Sequence, residues 1–226
     1  MRKMIFFVLL VAVSIMGTLL VFRNTVARIV LSHGLTQAIG AETTIDAVDI
    51  GVPKPTIVIK GLKVYNPRGF INEPLLVMPL IAAQYDPDAL FQRKIHLIQL
   101  KIALRELVVA INEKGAVNVD QLAVMHNQPQ KNAAPLPEFK VDKLVLSVGR
   151  VVTKNYVHDE SAARAGVDLG MRERTYNNIT SVSQLAVVIL QDTMKMAGWK
   201  GVQAFGERLL NNLGKNILKP SDAPAR

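Results

Sequence analysis

The chain contains no cysteine. Disulfides, thiolate metal sites and cysteine nucleophiles are therefore excluded, and the redox compartment is left open. Aromatic residues are scarce as well, at 5% with a single tryptophan, and no basic run is interleaved with them, so no nucleic-acid partner is expected. The four histidines, His33, His96, His126 and His158, are scattered without ligand spacing. GxSxG, P-loop, GxGxxG and HExxH motifs are all missing. The densest polar cluster, His158-Asp159-Glu160, reads as a solvated loop. Asp86 and Asp88 flank a proline and read as a turn rather than a carboxylate pair. These absences lead to an expectation of no catalytic residue, no metal, no cofactor and no enzymatic activity.

What is present is apolar and basic. Hydrophobic residues make up 50% of the 226 positions, and 27 basic against 18 acidic residues leave a net charge of +9. Mean hydropathy is +0.23. Part of the apolar excess lies in one uncharged segment, Met4 to Phe22, preceded by Arg2 and Lys3. Nineteen helical residues at about 1.5 Å each span the hydrocarbon thickness of a bilayer. A cleavable signal peptide is the rival reading, but its apolar region would be shorter and would end in small residues, whereas this one runs directly into Leu19-Leu20-Val21-Phe22-Arg23. The expectation is an uncleaved anchor over residues 1–23, with the bulk of the chain on the far side of the membrane. The positive excess suits either a solvated basic surface or a lipid-facing one.

Residues 24–40 continue helically as a juxtamembrane extension, with Val26, Ile29, Val30, His33 and Gln37 at helical spacings and Gly40 as the stop. From Glu42 the period changes to that of strands. Thr56 to Tyr65 is rich in β-branched residues and is ended by Asn66-Pro67-Arg68-Gly69, because Pro67 cannot donate to a ladder and Gly69 permits positive φ. Asn66, Pro67 and Gly69 are read as a structural turn. Leu75 to Ala83 is apolar on both faces, which predicts a strand covered on both sides, with Pro79 pushing it toward an edge or a bulge. Asp86 is placed to cap a short helical turn ending at Phe91. Lys94–Ile102 and Glu106–Asn112 read as two strands, followed by a turn at Glu113-Lys114-Gly115.

A proline-rich loop over 127–138 precedes an alternating strand, Phe139 to Val152, and a further strand near Ala165–Glu173. Residues 181–218 return to a helical period, with Trp199 and Phe205 as packing residues, and 219–226 form a frayed tail. The predicted fold is α+β and β-rich: an N-terminal transmembrane helix, residues 41–180 as a curved antiparallel sheet, and a C-terminal amphipathic helix on or beside it.

Gly61-Leu62-Lys63-Val64-Tyr65-Asn66-Pro67-Arg68-Gly69-Phe70 is followed by the apolar strand, then by Tyr85-Asp86-Pro87-Asp88-Ala89-Leu90-Phe91. Next come Lys94-Ile95-His96-Leu97, Glu106-Leu107-Val108-Val109 and Asn112-Glu113-Lys114-Gly115-Ala116-Val117-Asn118. In this order, behind an N-terminal apolar helix, the chain resembles the N-terminal part of AsmA-like proteins of the Gram-negative envelope over about residues 1–125. The resemblance implies an inner-membrane anchor, a curved sheet forming a hydrophobic groove in the periplasm, and bridge-type lipid transfer. It carries no catalytic residues.

On this basis the expected function is a non-enzymatic, inner-membrane-anchored periplasmic protein that binds or moves membrane lipid, a phospholipid being the candidate, or maintains the envelope. Leu76, Met78, Leu80, Leu97 and Val109 are the expected groove-lining or core residues. The alternative is an anchored scaffold that forms homo-oligomers or docks envelope proteins through strand edges and the C-terminal helix.

Overall fold

Strand-forming residues dominate from Thr43 onward, and the computed structural model gathers them into one open sheet flanked by helices. It describes residues 2–51, 53–125, 138–156 and 163–198, with the backbone alone at 2–5, 8–21, 125, 163–165 and 172. Helix α1 is Arg2–Ile39. Seven strands follow: β1 Thr43–Thr44, β2 Ala47–Ile50, β3 Thr56–Tyr65, β4 Pro74–Tyr85, β5 Lys94–Ile111, β6 Glu138–Asn155 and β7 Ala163–Ile179. A five-residue helix, α2 (Pro87–Phe91), joins β4 to β5, and α3 (Val182–Met196) follows β7. The order is β1-β3-β4-β5-β6-β7, with β2 also on β3. The chain is thus α+β and β-rich, with an N-terminal helix and a C-terminal helix.

The expected antiparallel sheet is in fact mixed. β5 and β6 pair in parallel, Lys94 opposite Glu138 through Ile111 opposite Asn155. Parallel neighbours need a crossover of a dozen residues or more, and the chain between Ile111 and Glu138 supplies it. β4 also departs from expectation. Despite Pro79 it is a central strand between β3 and β5, with no register shift at the proline. The two strands expected at Lys94–Ile102 and Glu106–Asn112 are one 18-residue strand.

The departures in β4 and β5 share one cause. A seam crosses the sheet, and along it the inward-facing positions step by three residues instead of two. The buried or half-buried sequence runs Ile59 then Leu62 in β3, Met78 then Ile81 in β4, Leu104 then Leu107 in β5, and Val148 then Val151 in β6. The pairing ladder skips Gly61 opposite Pro79 and Arg105 opposite Gly149. In β7 the same line falls at a register shift where Met171 has φ 54°. A second seam passes Ile98, Asp142 and Asn178, the last with φ 57°. Pro79 loses no ladder hydrogen bond that the seam would have kept, which is how a proline is tolerated inside the sheet.

Gly61 shows what the seam requires. Its φ is +63°, and a Cβ there would lie 1.9 Å from Asp46 Oδ2. Gly61→Ala is expected to lose about 2 kcal/mol from left-handed strain and the displacement of Asp46, read as a lowered urea midpoint. A midpoint within error of the parent would remove the seam's requirement for glycine.

One face of the sheet is covered by helices. Ala27, Leu31, Leu35 and Ile39 form the inner stripe of α1, and α3 lies over β6, β7 and the 3-10 turn Ala123–Met125. The outer stripe of α1 is exposed, with Val26 at 52%, Ile29 at 50% and Val30 at 63%. The expected juxtamembrane segment 24–40 is therefore continuous with the rest of α1, and Gly40, at φ +76°, follows its end. Among the described residues no helix is long and apolar enough to cross a membrane. Most side chains of Met4–Phe22 lie outside the described residues, as do Trp199, Phe205, the loop core at 127–137 and the tail. α3 ends at Met196, with Gly198 at φ +66°, and the remainder of the expected helical segment to 218 lies outside the described residues.

Candidate functional site

Three elements are locked together around an apolar cleft. Asn24 fixes α1 against the sheet, donating to Asp49 Oδ1 at 3.0 Å and accepting from the Ile50 N–H at 3.2 Å. Thr36 Oγ1 accepts from the Thr43 N–H at 3.1 Å near the other end of the helix. α3 is started by Ser181, whose Oγ accepts from the Gln184 N–H at 3.0 Å, while Gln184 Oε1 accepts from the Thr180 N–H at 2.8 Å. This is a variant of the reciprocal cap that fixes a helix entry angle. Arg174 on β7 ties α3 down through Asp192 at 2.9 Å, and the Tyr176 hydroxyl donates to the same carboxylate. Burial, with the Asp192 charge beside it, pushes the Tyr176 hydroxyl above its ordinary value.

Between α1, α3 and the sheet lies a cleft of about 230 Å³ whose lining is apolar throughout. Leu35, Ala38 and Ile39 come from α1, Leu185, Ala186 and Ile189 from α3, and Leu62, Met78, Ile81 and Leu100 from the floor. Rim residues Leu35, Val182, Leu185 and Ala186 are half-buried. The volume exceeds that of an apolar cavity of roughly 150 Å³ that stays dry and takes up benzene. Among the described residues no polar side chain lines the cleft.

Of the residues singled out in the sequence, Leu76 and Met78 line this cleft. Leu80 lies on the opposite face and is 45% exposed, because the seam at Pro79 hands the inner face to Ile81. Leu97 is half-buried against the core at one end of β5, and Val109 is buried at the other, away from the lining. The α1 and α3 contributions could not be read from strand periodicity, since they depend on which helix face meets the sheet.

Asn66, Pro67 and Gly69 begin a loop whose positive φ at Gly69 (92°) agrees with a turn. Its wider role is to dock. Asn66 Oδ1 accepts from the fully buried Asn118 Nδ2 at 2.7 Å, Asn112 Nδ2 donates to the Gly69 carbonyl at 3.2 Å, and Glu73 pairs with the buried Lys154.

A polar cluster that sequence spacing did not bring together sits at the other end of the sheet. His96 Nε2 lies 2.8 Å from Asp142 Oδ2, and its Nδ1 lies 3.3 Å from Asp86 Oδ2. Asp86 is also the expected cap of α2, accepting from the Asp88 N–H at 2.9 Å. Forty-six residues separate His96 from Asp142, so only the parallel β5–β6 pairing makes them neighbours. Hydrogen bonds from Lys140, at 2.8 Å, and then from His96 hold the Asp142 carboxyl below its ordinary value. A depressed carboxyl stabilises the fold at pH above its unfolded value, and this contribution is lost as pH falls through the folded one. Asp142→Asn is therefore expected to flatten the melting-temperature profile between about pH 5 and pH 3. An unchanged acid limb would refute the pairing. Among the described residues no cluster of three or more His, Asp or Glu side chains has metal-holding geometry.

Fold and site together define a β-rich α+β domain in which two helices enclose an apolar cleft on one face of an open mixed sheet. No family model, no curated protein and no solved structure matches the chain.

Proposed function

We propose that this chain is a non-catalytic, membrane-anchored lipid-binding protein that holds one phospholipid acyl chain in the cleft between α1, α3 and the sheet. The observation that carries this reading is the cleft lining, which is apolar on every side and is contributed in part by α1, the helix that also contains Met4–Phe22. A purely structural core would close such a space, because packed interiors tolerate few voids larger than a water molecule. The resemblance to AsmA-like proteins supports placing the domain in the periplasm on a single-pass inner-membrane anchor, with a part in lipid movement or envelope maintenance. With one acyl-chain-sized cleft, the role is to hold a lipid rather than to bridge an envelope alone.

The test is purification of the full chain in mild detergent, with mass spectrometry of bound lipid and photo-crosslinking from a benzophenone amino acid at Met78. Stoichiometric phospholipid and a lipid adduct at Met78 are expected. Absence of both would sink the reading.

One observation favours the scaffold alternative. β7 is a 17-residue edge strand, exposed at most of its described side chains, and unpaired edges of that length template pairing with another chain. Its bulge beside Gly170 interrupts the edge and weakens it as a template. Crosslinking in native membranes separates the two readings: a monomer favours the lipid holder, and a discrete oligomer the scaffold.

A further inference from the structure

Leu90 and Phe91 are consecutive residues at the end of α2, and both are exposed, Phe91 at 88%, the highest among the described large hydrophobics. Isolated exposed apolar residues are normal on protein surfaces. This pair differs in being built to stay outside. Ala89 is buried beneath it, Asp86 caps the turn, and His96 holds Asp86 in place. Arg93, at φ 58°, closes the turn by donating its N–H to the Leu90 carbonyl at 3.0 Å. The side chains are thus presented on a fixed turn and cannot fold back onto the sheet.

The strand registers show which end of the sheet carries this tip. Ile50 pairs with Ile57, Thr56 with Gln84, Tyr85 with Leu97, and Lys94 with Glu138. The β2–β3 hairpin, α2 and the start of β6 therefore share one end. Asn24 of α1 is hydrogen-bonded to Asp49 and Ile50 at that same end, two residues after Phe22. Ile39 and the Asn66–Glu73 loop lie at the other end, where the Tyr65 N–H donates to the Glu42 carbonyl. From β2 to β4 is two strand spacings, about 10 Å. The tip consequently stands beside the point where α1 leaves the apolar segment, together with exposed Lys54 and Arg93.

We propose that Leu90 and Phe91 insert into the membrane surface as a second contact, setting the hairpin end of the sheet against the lipid headgroups. The inference rests on the membrane-anchored reading above. Aromatic and aliphatic side chains at headgroup depth, flanked by basic residues, are the chemistry of interfacial anchoring. A second contact, displaced from the anchor along the sheet, would fix the tilt of the domain, which a single helix leaves free.

The absence of native cysteine makes single-site labelling clean. The full chain is reconstituted in vesicles of phosphatidylcholine and phosphatidylglycerol, with an environment-sensitive fluorophore on Asp88→Cys, Phe22→Cys or Lys114→Cys, and is quenched by lipids carrying a nitroxide. Strong quenching at positions 22 and 88 and little at 114 is expected. Changing both Leu90 and Phe91 to serine should then reduce quenching at 88 severalfold while leaving 22 unchanged. Quenching at 22 with none at 88, or quenching at 88 that ignores the serine pair, would overturn the tip while the anchor stands. No quenching at 22 would overturn the anchored reading and the tip with it.

Discussion

Asn118→Leu is expected to lower the melting temperature by about 10 °C. Asn118 has no solvent exposure, and its side-chain amide is fully used. It donates to Asn66 Oδ1 at 2.7 Å and to the Val108 carbonyl at 2.9 Å, and its Oδ1 accepts from the Ala110 and Val119 N–H groups, each at 2.9 Å. Two of those partners, Val108 and Ala110, are backbone groups of β5 beyond its last pair with β4, Leu107 with Leu76, so the asparagine side chain continues the ladder there. Leucine matches the volume but leaves the Val108 carbonyl and the Ala110 and Val119 N–H groups unsatisfied in a buried site, and takes one bond from the partly exposed Asn66. At roughly 1–3 kcal/mol for each of these three buried groups, the sum is about 3–9 kcal/mol. In a domain of this size that corresponds to about 2–4 °C per kcal/mol.

Asn118→Asp should be worse still, because it turns both donated hydrogen bonds into contacts between acceptors and adds a buried charge. Asn66→Ala, which removes the bonds to Asn118 and to the Ile71 carbonyl from a partly exposed side chain, should lose about 1–2 kcal/mol. Melting curves of the three variants check the ranking. A shift below 2 °C for Asn118→Leu would mean that water replaces the network.

Ala186→Trp is expected to reduce co-purifying phospholipid at least tenfold while leaving the circular dichroism spectrum unchanged. Ala186 is on the half-buried rim of the cleft, where the larger side chain can enter the space. A tenfold loss corresponds to about 1.4 kcal/mol of binding free energy, well within what filling an apolar site forfeits. The same variant distinguishes a ligand site from a packing void. In a void the indole would change stability by roughly 1–3 kcal/mol through filling or overpacking, with no change in lipid content. Lipid content unaffected by Ala186→Trp would remove the cleft as the binding place.

Much of the sheet was legible in the sequence because alternation and β-branching report local backbone preference. Thr56–Tyr65, the apolar strand after Asn72, the cap at Asp86 and the start of the last helix near Ser181 all lie where local chemistry places them. The misreading at Ala103–Arg105 is instructive. The residues on either side read as two strands, and the phase of the apolar pattern does break between them. In the fold the strand continues and a seam absorbs the change, since left-handed Gly61, Pro79 and Gly149 on neighbouring strands fall on the same line. The cleft was half legible. Leu76 and Met78 followed from strand alternation, whereas Leu80 was displaced by the seam and the helical walls were invisible to a period-two argument.

By itself the sequence determined the kinds of element, their order, the apolar segment at the start and the want of catalytic motifs, because all of these are carried by near neighbours along the chain. Only the tertiary structure decided that β5 and β6 run parallel, that His96 meets Asp142, that Asn118 completes a ladder, and that α1 and α3 wall an apolar cleft. Each of these joins residues far apart in sequence, and their meeting is set by register and by which helix face is buried. No local periodicity encodes either one.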